Sequence, residues 1–488
     1  MPFLGPVLAF HGATDDAWQL SALVVDAEDP GPLVPEGGQE IPAQPLWTVN
    51  GRTAWRYRFA APLGRSTRYT VAGVEATVQL PGVGMSPRMA YASCNGFSDL
   101  ATMKRVADKN ALWRRMAALH AKTPYNLLLL GGDQVYADSM WSAVPTMKRW
   151  AELGWDQANR ARFTDTMERQ LEAFYFNLYV ERWSRPEVAA MLASVPNICM
   201  WDDHDLIDGF GSYPPERQGC PVLQGLGGIA RRAFAVFQQQ VDPKGEAVAG
   251  ALSPARGFSR GHVVGRLAIV ALDMRSERTV DQVLGLEHWG EVFAWMDRLD
   301  RAEVDHLLVM SSIPVVYPGF DTIERVLGVV PGQQDLEDDL RDHWNSRPHK
   351  GERLRLIHRL LDIAARGIRP TLLSGDVHVG AVGVIEAARG STAGTTADVV
   401  NQLISSGIVH PGPGGMVLFA LTHLLDSADE VDRGIVARMT KFPGTSTTFI
   451  GGRNFLSLEP DDKKRIWGNW IVENDDHPYV KVIHTVDS

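Results

Sequence analysis

An apolar run ends in two glycines, an aspartate and a tyrosine in the stretch Leu127-Leu128-Leu129-Leu130-Gly131-Gly132-Asp133-Gln134-Val135-Tyr136. A strand buried on both faces of a sheet is apolar throughout, and glycine lets the backbone turn sharply where such a strand ends. The stretch therefore predicts a buried strand that delivers Asp133 and Tyr136 to its carboxyl end. A carboxylate and a phenol suit a metal site, although a turn with a solvated aspartate also fits this stretch taken alone.

Two further apolar runs end in the same manner. The run at 198–201 leads into Asp202-Asp203-His204-Asp205, and the run at 371–375 leads into Asp376-Val377-His378. Residues two apart in an extended segment lie on the same side, so Asp376 and His378 can reach one cavity. The repetition predicts that three strand ends meet at a single site.

The bulk composition limits the possible classes of protein. With 488 residues, 45% of them hydrophobic, the chain can bury a large core and is expected to hold one large domain and a smaller one. Its 14 Trp, 17 Phe and 22% charged residues exclude a disordered protein. A net charge of −10 argues against a broad nucleic-acid surface. The longest uncharged apolar patch, 416–425, is shorter than the about 20 residues of a membrane span.

The amino terminus and the cysteines bear on location. Residues 1–6 contain no basic segment, no sustained apolar run and no arginine pair, which predicts a cytoplasmic protein for the chain as given. A leader removed beforehand would leave no trace in this sequence. Three cysteines are too few for a disulfide framework in a chain of this length.

The texture of the sequence changes near residue 85. Residues 1–85 alternate apolar with polar positions between Pro and Gly, which predicts a small antiparallel β-sandwich. Residues 86–488 then alternate strands with helices, which predicts an α/β domain whose loops carry the chemistry at the strand ends. A charged segment near 320–350 is interpreted as a lid-like insertion, with disorder as the equal alternative.

The side chains at the strand ends form a donor set for metal ions. They are Cys94, Asp133, Tyr136, Asp203, His204, Asp208, Asp376 and His378. This mixture has too many oxygen donors for a structural zinc site, which prefers Cys and His. Two cations about 3.5–4 Å apart, sharing a carboxylate, form a clamp for phosphoryl oxygens.

As an ordered set, five motifs resemble the PhoD-like (alkaline phosphatase D) branch of the calcineurin-like metallophosphoesterases over roughly residues 85 to 410. The motifs are Ser93-Cys94, Gly132-Asp133-Gln134-Val135-Tyr136, Trp201-Asp202-Asp203-His204-Asp205, Leu272-Asp273-Met274-Arg275 and Ser374-Gly375-Asp376-Val377-His378. The resemblance implies a four-layer αββα sandwich preceded by an N-terminal β-sandwich. It also implies a hydrolase for phosphate mono- or diesters, and hence a small phosphate-ester substrate; it says nothing of oligomeric state.

The resemblance further implies two metal ions. Asp133 would bridge them, and Cys94, Tyr136 and His378 would complete the first site, which suits iron(III). Asp376, with Asp203 or Asp208, would hold a divalent ion: calcium, magnesium, manganese or zinc. Zinc is the least favoured, because Ser93-Cys94 replaces the Asp-x-His found in many relatives and the strand ending at 309–314 carries no imidazole.

The resemblance implies roles toward the substrate for His204 and Arg275, and Asn95 is a further candidate because it adjoins Cys94. His204 corresponds to the general acid that protonates the leaving alkoxide while a hydroxide between the ions attacks phosphorus. Arg275 is a candidate phosphate clamp, with a surface ion pair to Asp273 or Glu277 as the equal alternative. Asn95 is expected to touch a phosphate oxygen.

Other interpretations fit the same residues. Cys94 alone is equally a buried strand-end thiol, and Tyr136 equally a packing aromatic. The whole site could be a catalytically retired metal-binding scaffold, or a mononuclear hydrolase of another bond. Retention of His204 weighs against retirement, because a decayed site need not keep its acid.

Overall fold

The computed structural model of the chain describes residues 2–245, 248–318, 344, 346–388, 398–423 and 428–486. The strands are β1 Leu4–Ala13, β2 Ala17–Asp26, β3 Val34–Pro35, β4 Gln44–Val49, β5 Arg52–Pro62, β6 Ser66–Val71, β7 Val74–Gln79, β8 Met89–Ala92, β9 Leu127–Gly131, β10 Asn197–Met200, β11 Arg260–Val264, β12 Leu267–Ala271, β13 His306–Met310, β14 Arg369–Ser374, β15 Gly380–Ala387, β16 Val399–Ser405, β17 Ala428–Asp432, β18 Ile435–Thr440, β19 Phe449–Ile450, β20 Asn454–Pro460, β21 Ile466–Val472 and β22 Tyr479–Ile483. The α-helices are α1 Leu100–Arg105, α2 Ala111–Lys122, α3 Met140–Ala143, α4 Pro145–Ala151, α5 Trp155–Arg160, α6 Asp165–Trp183, α7 Pro186–Ser194, α8 Pro215–Gln218, α9 Pro221–Phe237, α10 Leu286–Asp297, α11 Lys350–Ala365 and α12 Gly415–His423.

The strands of the described residues form two large sheets. The first is ten-stranded, with the order β22-β21-β20-β8-β9-β10-β1-β2-β5-β4. The second has the order β11-β12-β13-β14-β16-β15-β18-β17, with β19 also paired to β15. Parallel pairing runs through β8, β9 and β10 in the first sheet and through β12, β13, β14 and β16 in the second. The site-bearing loops therefore leave each sheet at the carboxyl ends of neighbouring strands.

Period-two alternation explains how the layers stack. Leu128 and Leu130 of β9 face a core shared with helices, whereas Leu127 and Leu129 face a core shared with the second sheet. Helices α2, α6, α7 and α9 cover the first sheet, and α10 and α11 cover the second. The described layers are thus helix, sheet, sheet and helix, and the predicted αββα arrangement is confirmed.

The first 85 residues are joined to the rest through the ten-stranded sheet. Strand β1 pairs in parallel with β10 at Ala9 and Asn197, and the side-chain Nδ2 of Asn197 donates to the Leu8 carbonyl at 2.7 Å. Strands β3, β6 and β7 form a separate three-stranded sheet, whose Tyr69 and Val78 belong to the same apolar core as Leu8. The domain boundary at residue 85 stays a prediction.

The structure differs from the sequence-based assignment in the second sheet. The pattern at 262–272 predicts one strand, but the chain forms a hairpin of β11 and β12 that turns at Gly265. Gly265 has φ +59°, and a Cβ there would lie 2.6 Å from the Met85 carbonyl oxygen, so no larger side chain fits. Apart from Val263, both strands are buried, so their apolar residues merge into one run in the sequence and hide the turn.

The lid-like insertion predicted near 320–350 lies mostly outside the described residues, which stop at 318 and resume continuously at 346. Among the described residues, no helix has the length and apolar character that crossing a bilayer requires.

Candidate metal centre

Four carboxylates crowd together where the strands of the two sheets end. Asp133 follows β9, Asp202 and Asp203 follow β10, and Asp376 follows β14. Each of the four offers an oxygen, and these oxygens all lie within 4.8 Å of one another. A second overlapping group joins Asp133 and Asp203 to His204 within the same limit. The structure therefore brings together candidate ligands from three strand ends.

This crowding fits a metal ion. Burial, followed by the charge of Asp202, raises the pKa of the Asp133 carboxyl well above its ordinary value. The Asp133 Oδ1 atom is buried and accepts no hydrogen bond from the described residues. A buried carboxylate without a hydrogen bond or a cation is costly, and a bound cation removes that cost. The donor chemistry and the orphaned oxygen agree with the predicted metal site.

A second group of donors, Cys94, Tyr136 and His378, lies against the carboxylates. The Cys94 Sγ lies 3.6 Å from Asp133 Oδ2, and the Tyr136 hydroxyl lies 3.4 Å from His378 Nε2. Burial and then the Asp133 charge raise the pKa of the Cys94 thiol, while burial lowers that of His378. A cation would reverse the penalty on the thiolate and use the neutral imidazole as a nitrogen donor.

Backbone strain is concentrated in these loops. Cys94, Asp133, Asp376 and His378 have positive φ angles of 53°, 53°, 65° and 52°. Non-glycine residues rarely adopt this left-handed region, and they persist there only when surrounding contacts hold them. The fold thus accepts conformational cost at four of the predicted ligands.

His204 is held as a positioned imidazole. Its Nδ1 lies 2.7 Å from Asp138 Oδ2, and its ring stacks on Tyr136 with centroids 4.3 Å apart. Burial opposes protonation of His204, but the charges of Asp138 and Asp203 outweigh burial and raise its pKa well above the ordinary value. The Asp138 contact leaves Nε2 as the nitrogen that can exchange a proton with a ligand.

A cavity of about 540 Å³ opens beside the centre. His204, Asp208, Asp376, His378 and His410 line its polar part. Trp141, Tyr213, Tyr317, Val417 and Leu421 line an apolar part. Its size lies within the about 300–1,000 Å³ typical of small-molecule sites.

Comparison with known proteins agrees with this geometry. The sequence profile described as PhoD related phosphatase matches residues 48–333 and 325–426, which is more than half of the chain. The chain belongs to the PhoD-related phosphatase family. The resemblance predicted from the five motifs is therefore confirmed.

Two solved structures share the fold of this PhoD-related chain. A structure of PhoD is 13% identical with a TM-score of 0.57, covering 98% of this chain and 89% of that one. The purple acid phosphatase PPD1 from yellow lupin (Lupinus luteus) seeds is 12% identical with a TM-score of 0.54, covering 97% of this chain and 73% of that one. At these identities the likeness concerns the fold.

A curated relative is similar in sequence. The uncharacterized protein YGR266W of Saccharomyces cerevisiae is 29% identical over an alignment of 393 positions, which covers 67% of this chain. The chain spans 56% of that protein, little more than half of its length.

Arg275 is buried beneath the acidic cluster, which does not fit its predicted role as a phosphate clamp. Its side chain is 0% exposed, its Nε donates to Asp202 Oδ1 at 2.5 Å, and Nη2 lies 3.5 Å from Asp203 Oδ1. A guanidinium sealed beneath two carboxylates cannot reach a substrate in the cavity, and it is not a surface ion pair either. The placement makes Arg275 a positioning residue that offsets part of the charge of the acidic cluster.

Asn95 and Asp208 also lie outside the positions that their predicted roles require. Asn95 is buried: its Nδ2 donates to the Gln134 carbonyl, and its Oδ1 accepts from Trp113 Nε1 at 2.8 Å. It does not line the cavity, so its position favours holding the loop. Asp208 lines the cavity, but it is absent from the carboxylate groups that contain Asp203. Of the two alternatives for the second ion, the geometry favours Asp203.

Sequence reasoning missed two residues of the PhoD-related site. Asp202 belongs to the acidic cluster, although among the acids at 202–208 the sequence predicted only Asp203 and Asp208 as ligands. The run of acids at 202–205 carried this signal, but it could not show which carboxylates face inward. Asp138 orients His204, and its signal was an acid two residues beyond Tyr136.

We expect Asp203→Asn to lower the metal content of protein purified without chelator from about two ions per chain toward one, because it removes an anionic donor. The matched change Asp208→Asn should leave the metal content unchanged. Elemental analysis of both variants measures this. Loss of metal in Asp208→Asn but not in Asp203→Asn would assign the second ligand to Asp208 instead.

Arg275→Met should destabilise the fold by about 3–5 kcal/mol, because it leaves the buried charge of Asp202 without its partner. The control Arg114→Met removes exposed ion pairs to Asp108 and Glu187 and should leave the unfolding midpoint nearly unchanged, because surface ion pairs contribute little to stability. Chemical denaturation of both variants measures the difference. If Arg275→Met left the unfolding midpoint unchanged and raised KM, the result would instead support Arg275 as a residue that binds the substrate phosphate.

Proposed function

We propose that this chain is a metal-dependent phosphoesterase that hydrolyses phosphate mono- or diesters. The observation that carries the proposal is the cluster of four carboxylate oxygens within 4.8 Å, with His204 beside it and a cavity in front. Membership of the PhoD-related phosphatase family supports the same activity. A scaffold that only binds metal would not need a positioned acid facing a cavity of substrate size.

The residues present suggest two unlike metal sites. Asp133 would be shared between the two ions. Cys94, Tyr136 and His378 would hold one ion, and a phenolate with a thiolate suits iron(III). Asp202, Asp203 and Asp376 would hold the other with oxygen atoms alone, which suits calcium, magnesium or manganese better than zinc. Bound ions would supply Lewis acidity toward phosphoryl oxygens and would lower the pKa of water.

His204 would act as the general acid. The Asp138 carboxylate accepts from Nδ1, and its charge favours the protonated imidazole near neutral pH. Nε2 would then give its proton to the oxygen that leaves phosphorus, so the alcohol departs neutral. Stacking on Tyr136 restrains the ring in this orientation.

The neighbouring imidazoles would stay neutral. Burial, and then the neighbouring His410 and His204, lower the pKa of His378 well below its ordinary value. Burial likewise lowers the pKa of His410 to about 4. The centroids of these two rings are 3.7 Å apart, so charge repulsion opposes protonation of both rings at once. One protonated imidazole, on His204, therefore faces two that remain electron-pair donors.

The wild-type chain supplied with iron and calcium should hydrolyse p-nitrophenyl phosphate, bis-p-nitrophenyl phosphate or both. Asp133→Asn should lower kcat by at least about 10²-fold, because it removes the carboxylate proposed to be shared by the two ions. Release of p-nitrophenolate measures both results. A metal-loaded protein that is inert to both esters, with Asp133→Asn no different, contradicts the proposal.

His204→Asn should discriminate between leaving groups. With an alkyl phosphate, whose alkoxide needs a proton, kcat should fall by about 10²–10⁴-fold. With p-nitrophenyl phosphate, whose phenolate leaves readily, the loss should be at least tenfold smaller. The control His358→Asn alters a solvent-exposed histidine paired with Asp432 and should affect neither ester. Equal losses on both esters would assign His204 to a role other than proton donation.

A further inference from the structure

A groove lined by tryptophans adjoins the catalytic cavity. We call the tryptophan groove the surface formed by Trp141, Trp150, Trp155, Tyr213 and Arg217, and it encloses about 280 Å³. Aliphatic side chains of Leu153, Ile207 and Leu223 complete its lining. Its volume is near the lower end of the about 300–1,000 Å³ found for small-molecule sites. Trp155 is 51% exposed, an unusual position for so large an apolar side chain.

The groove and the catalytic cavity share two walls. Trp141 and Tyr213 line both of them. Ile207 lines the groove, and the next residue, Asp208, lines the cavity and accepts a hydrogen bond from the Tyr213 hydroxyl through its carbonyl oxygen. A ligand whose phosphate lies beside His204 could therefore extend its remaining part past Trp141 into the groove.

The aromatic walls are arranged for a flat ligand. The rings of Trp141 and Trp150 stack with centroids 5.9 Å apart and an interplanar angle of 17°. The guanidinium of Arg217 lies 4.9 Å from the Trp150 ring centroid and 4.3 Å from that of Trp155. Planar aromatic groups gain from stacking on such rings, whichever heteroatoms they carry.

Arg217 adds a charge to the groove. Its guanidinium carbon lies over the rings of Trp150 and Trp155, and within the described residues no carboxylate pairs with it, the adjacent Glu216 included. The edge of the guanidinium carries N–H groups suited to a planar carboxylate. A plain acyl chain would leave this cation unmatched, so the charge favours an aromatic anion.

We propose that the tryptophan groove binds the alcohol part of the substrate, and that this alcohol is a planar aromatic group bearing an anion such as a carboxylate. This proposal rests on the proposed phosphoesterase activity. The ring would stack beside Trp141 and Trp155, and the anion would meet Arg217. The groove then selects among phosphate esters, whereas the metal centre acts on all of them.

Hydrolysis of three esters tests the selection: 6-carboxy-2-naphthyl phosphate, 2-naphthyl phosphate and ethyl phosphate. Arg217→Gln should lower kcat/KM about tenfold for the carboxylated ester, equivalent to about 1.4 kcal/mol, through a raised KM. The same variant should change the other two esters less than about twofold. Because each variant is compared with wild type on the same ester, the intrinsic reactivity of the leaving group cancels.

A second variant tests the aromatic wall. Trp155→Ala should lower kcat/KM about fivefold or more for both naphthyl esters and leave ethyl phosphate unchanged, about 1 kcal/mol of lost stacking. The control Arg52→Gln alters a guanidinium that lies 4.2 Å from the Phe3 ring and lines neither the groove nor the cavity. That control should leave all three esters unchanged.

Binding without turnover separates this proposal from the proposed function. Calorimetry with 6-hydroxy-2-naphthoate, the alcohol released from the carboxylated ester, should show binding that weakens about fivefold or more in Arg217→Gln. Ester selection that is unchanged in both groove variants, or naphthoate binding that is unaffected by Arg217→Gln, overturns the subsite while the phosphoesterase stands. A chain inert to all three esters overturns the proposed activity, and the calorimetric result still decides whether the groove binds an aromatic anion.

Discussion

The carboxylate of Asp205 fixes the two loops on which the metal centre depends. It accepts hydrogen bonds from the backbone amides of residues 133, 134 and 135 at 2.9, 3.1 and 3.3 Å, and from that of residue 202 at 3.0 Å. The Gln238 side chain donates a further hydrogen bond at 2.9 Å. Burial raises the pKa of Asp205 to about 7 even though these donors lower it. One buried acid thus supplies the partners that a strained turn would otherwise lack, and sets the distance between the β9 and β10 loops.

Several contacts offset the electrostatic repulsion within the acidic cluster. The buried guanidinium of Arg275 pairs with Asp202 and lies near Asp203, and His204, which is paired with Asp138, adds a positive charge beside the cluster when it is protonated. Neither Arg275 nor His204 hydrogen-bonds Asp133 Oδ1, which accepts no hydrogen bond from the described residues. A protein built only for stability would replace such a carboxylate with an apolar side chain at little cost. Retention of this arrangement, together with positive φ angles in the same loops, indicates a site that is stabilised when its ligand binds.

The sequence predicted the strand ends better than it predicted side-chain direction. Continuous apolar runs located β9, β10 and β14, because a parallel strand buried on both faces leaves that pattern. The prediction that Asp133, Asp203 and Asp376 meet at one site depends on the order of the strands in the sheets, and the family resemblance implied that order. Whether Arg275 points into the cavity or beneath it depends on the turn after β12, and no periodicity encodes that choice. The tryptophan groove could not be predicted from the sequence for a related reason: its rings come from positions 141, 150, 155 and 213, whose spacing follows no helix or strand period.

Residue types alone do not identify a site, as a second constellation in this chain shows. Ser259 Oγ lies 2.8 Å from His288 Nε2, and His288 Nδ1 lies 2.9 Å from Glu277 Oε2, the connectivity of a serine hydrolase triad. Both Ser259 and His288 are 0% exposed, however, and Ser259 Oγ accepts a hydrogen bond from the backbone amide of Asp273 at 2.8 Å. No substrate can reach a hydroxyl held in this way.

The physical role of this buried triad is to brace the turn after β12. That turn also anchors Asp273, whose carboxylate accepts from Trp201 Nε1 at 2.7 Å, and it places Arg275 against Asp202. The hydrogen-bonded series Glu277–His288–Ser259 therefore supports the metal centre structurally, through backbone and indole contacts, and takes no part in a reaction. Access to a cavity and an unpaired oxygen distinguish the acidic cluster from this triad. Asp133 Oδ1 accepts no hydrogen bond from the described residues, whereas the Ser259 hydroxyl already makes its polar contacts within the protein.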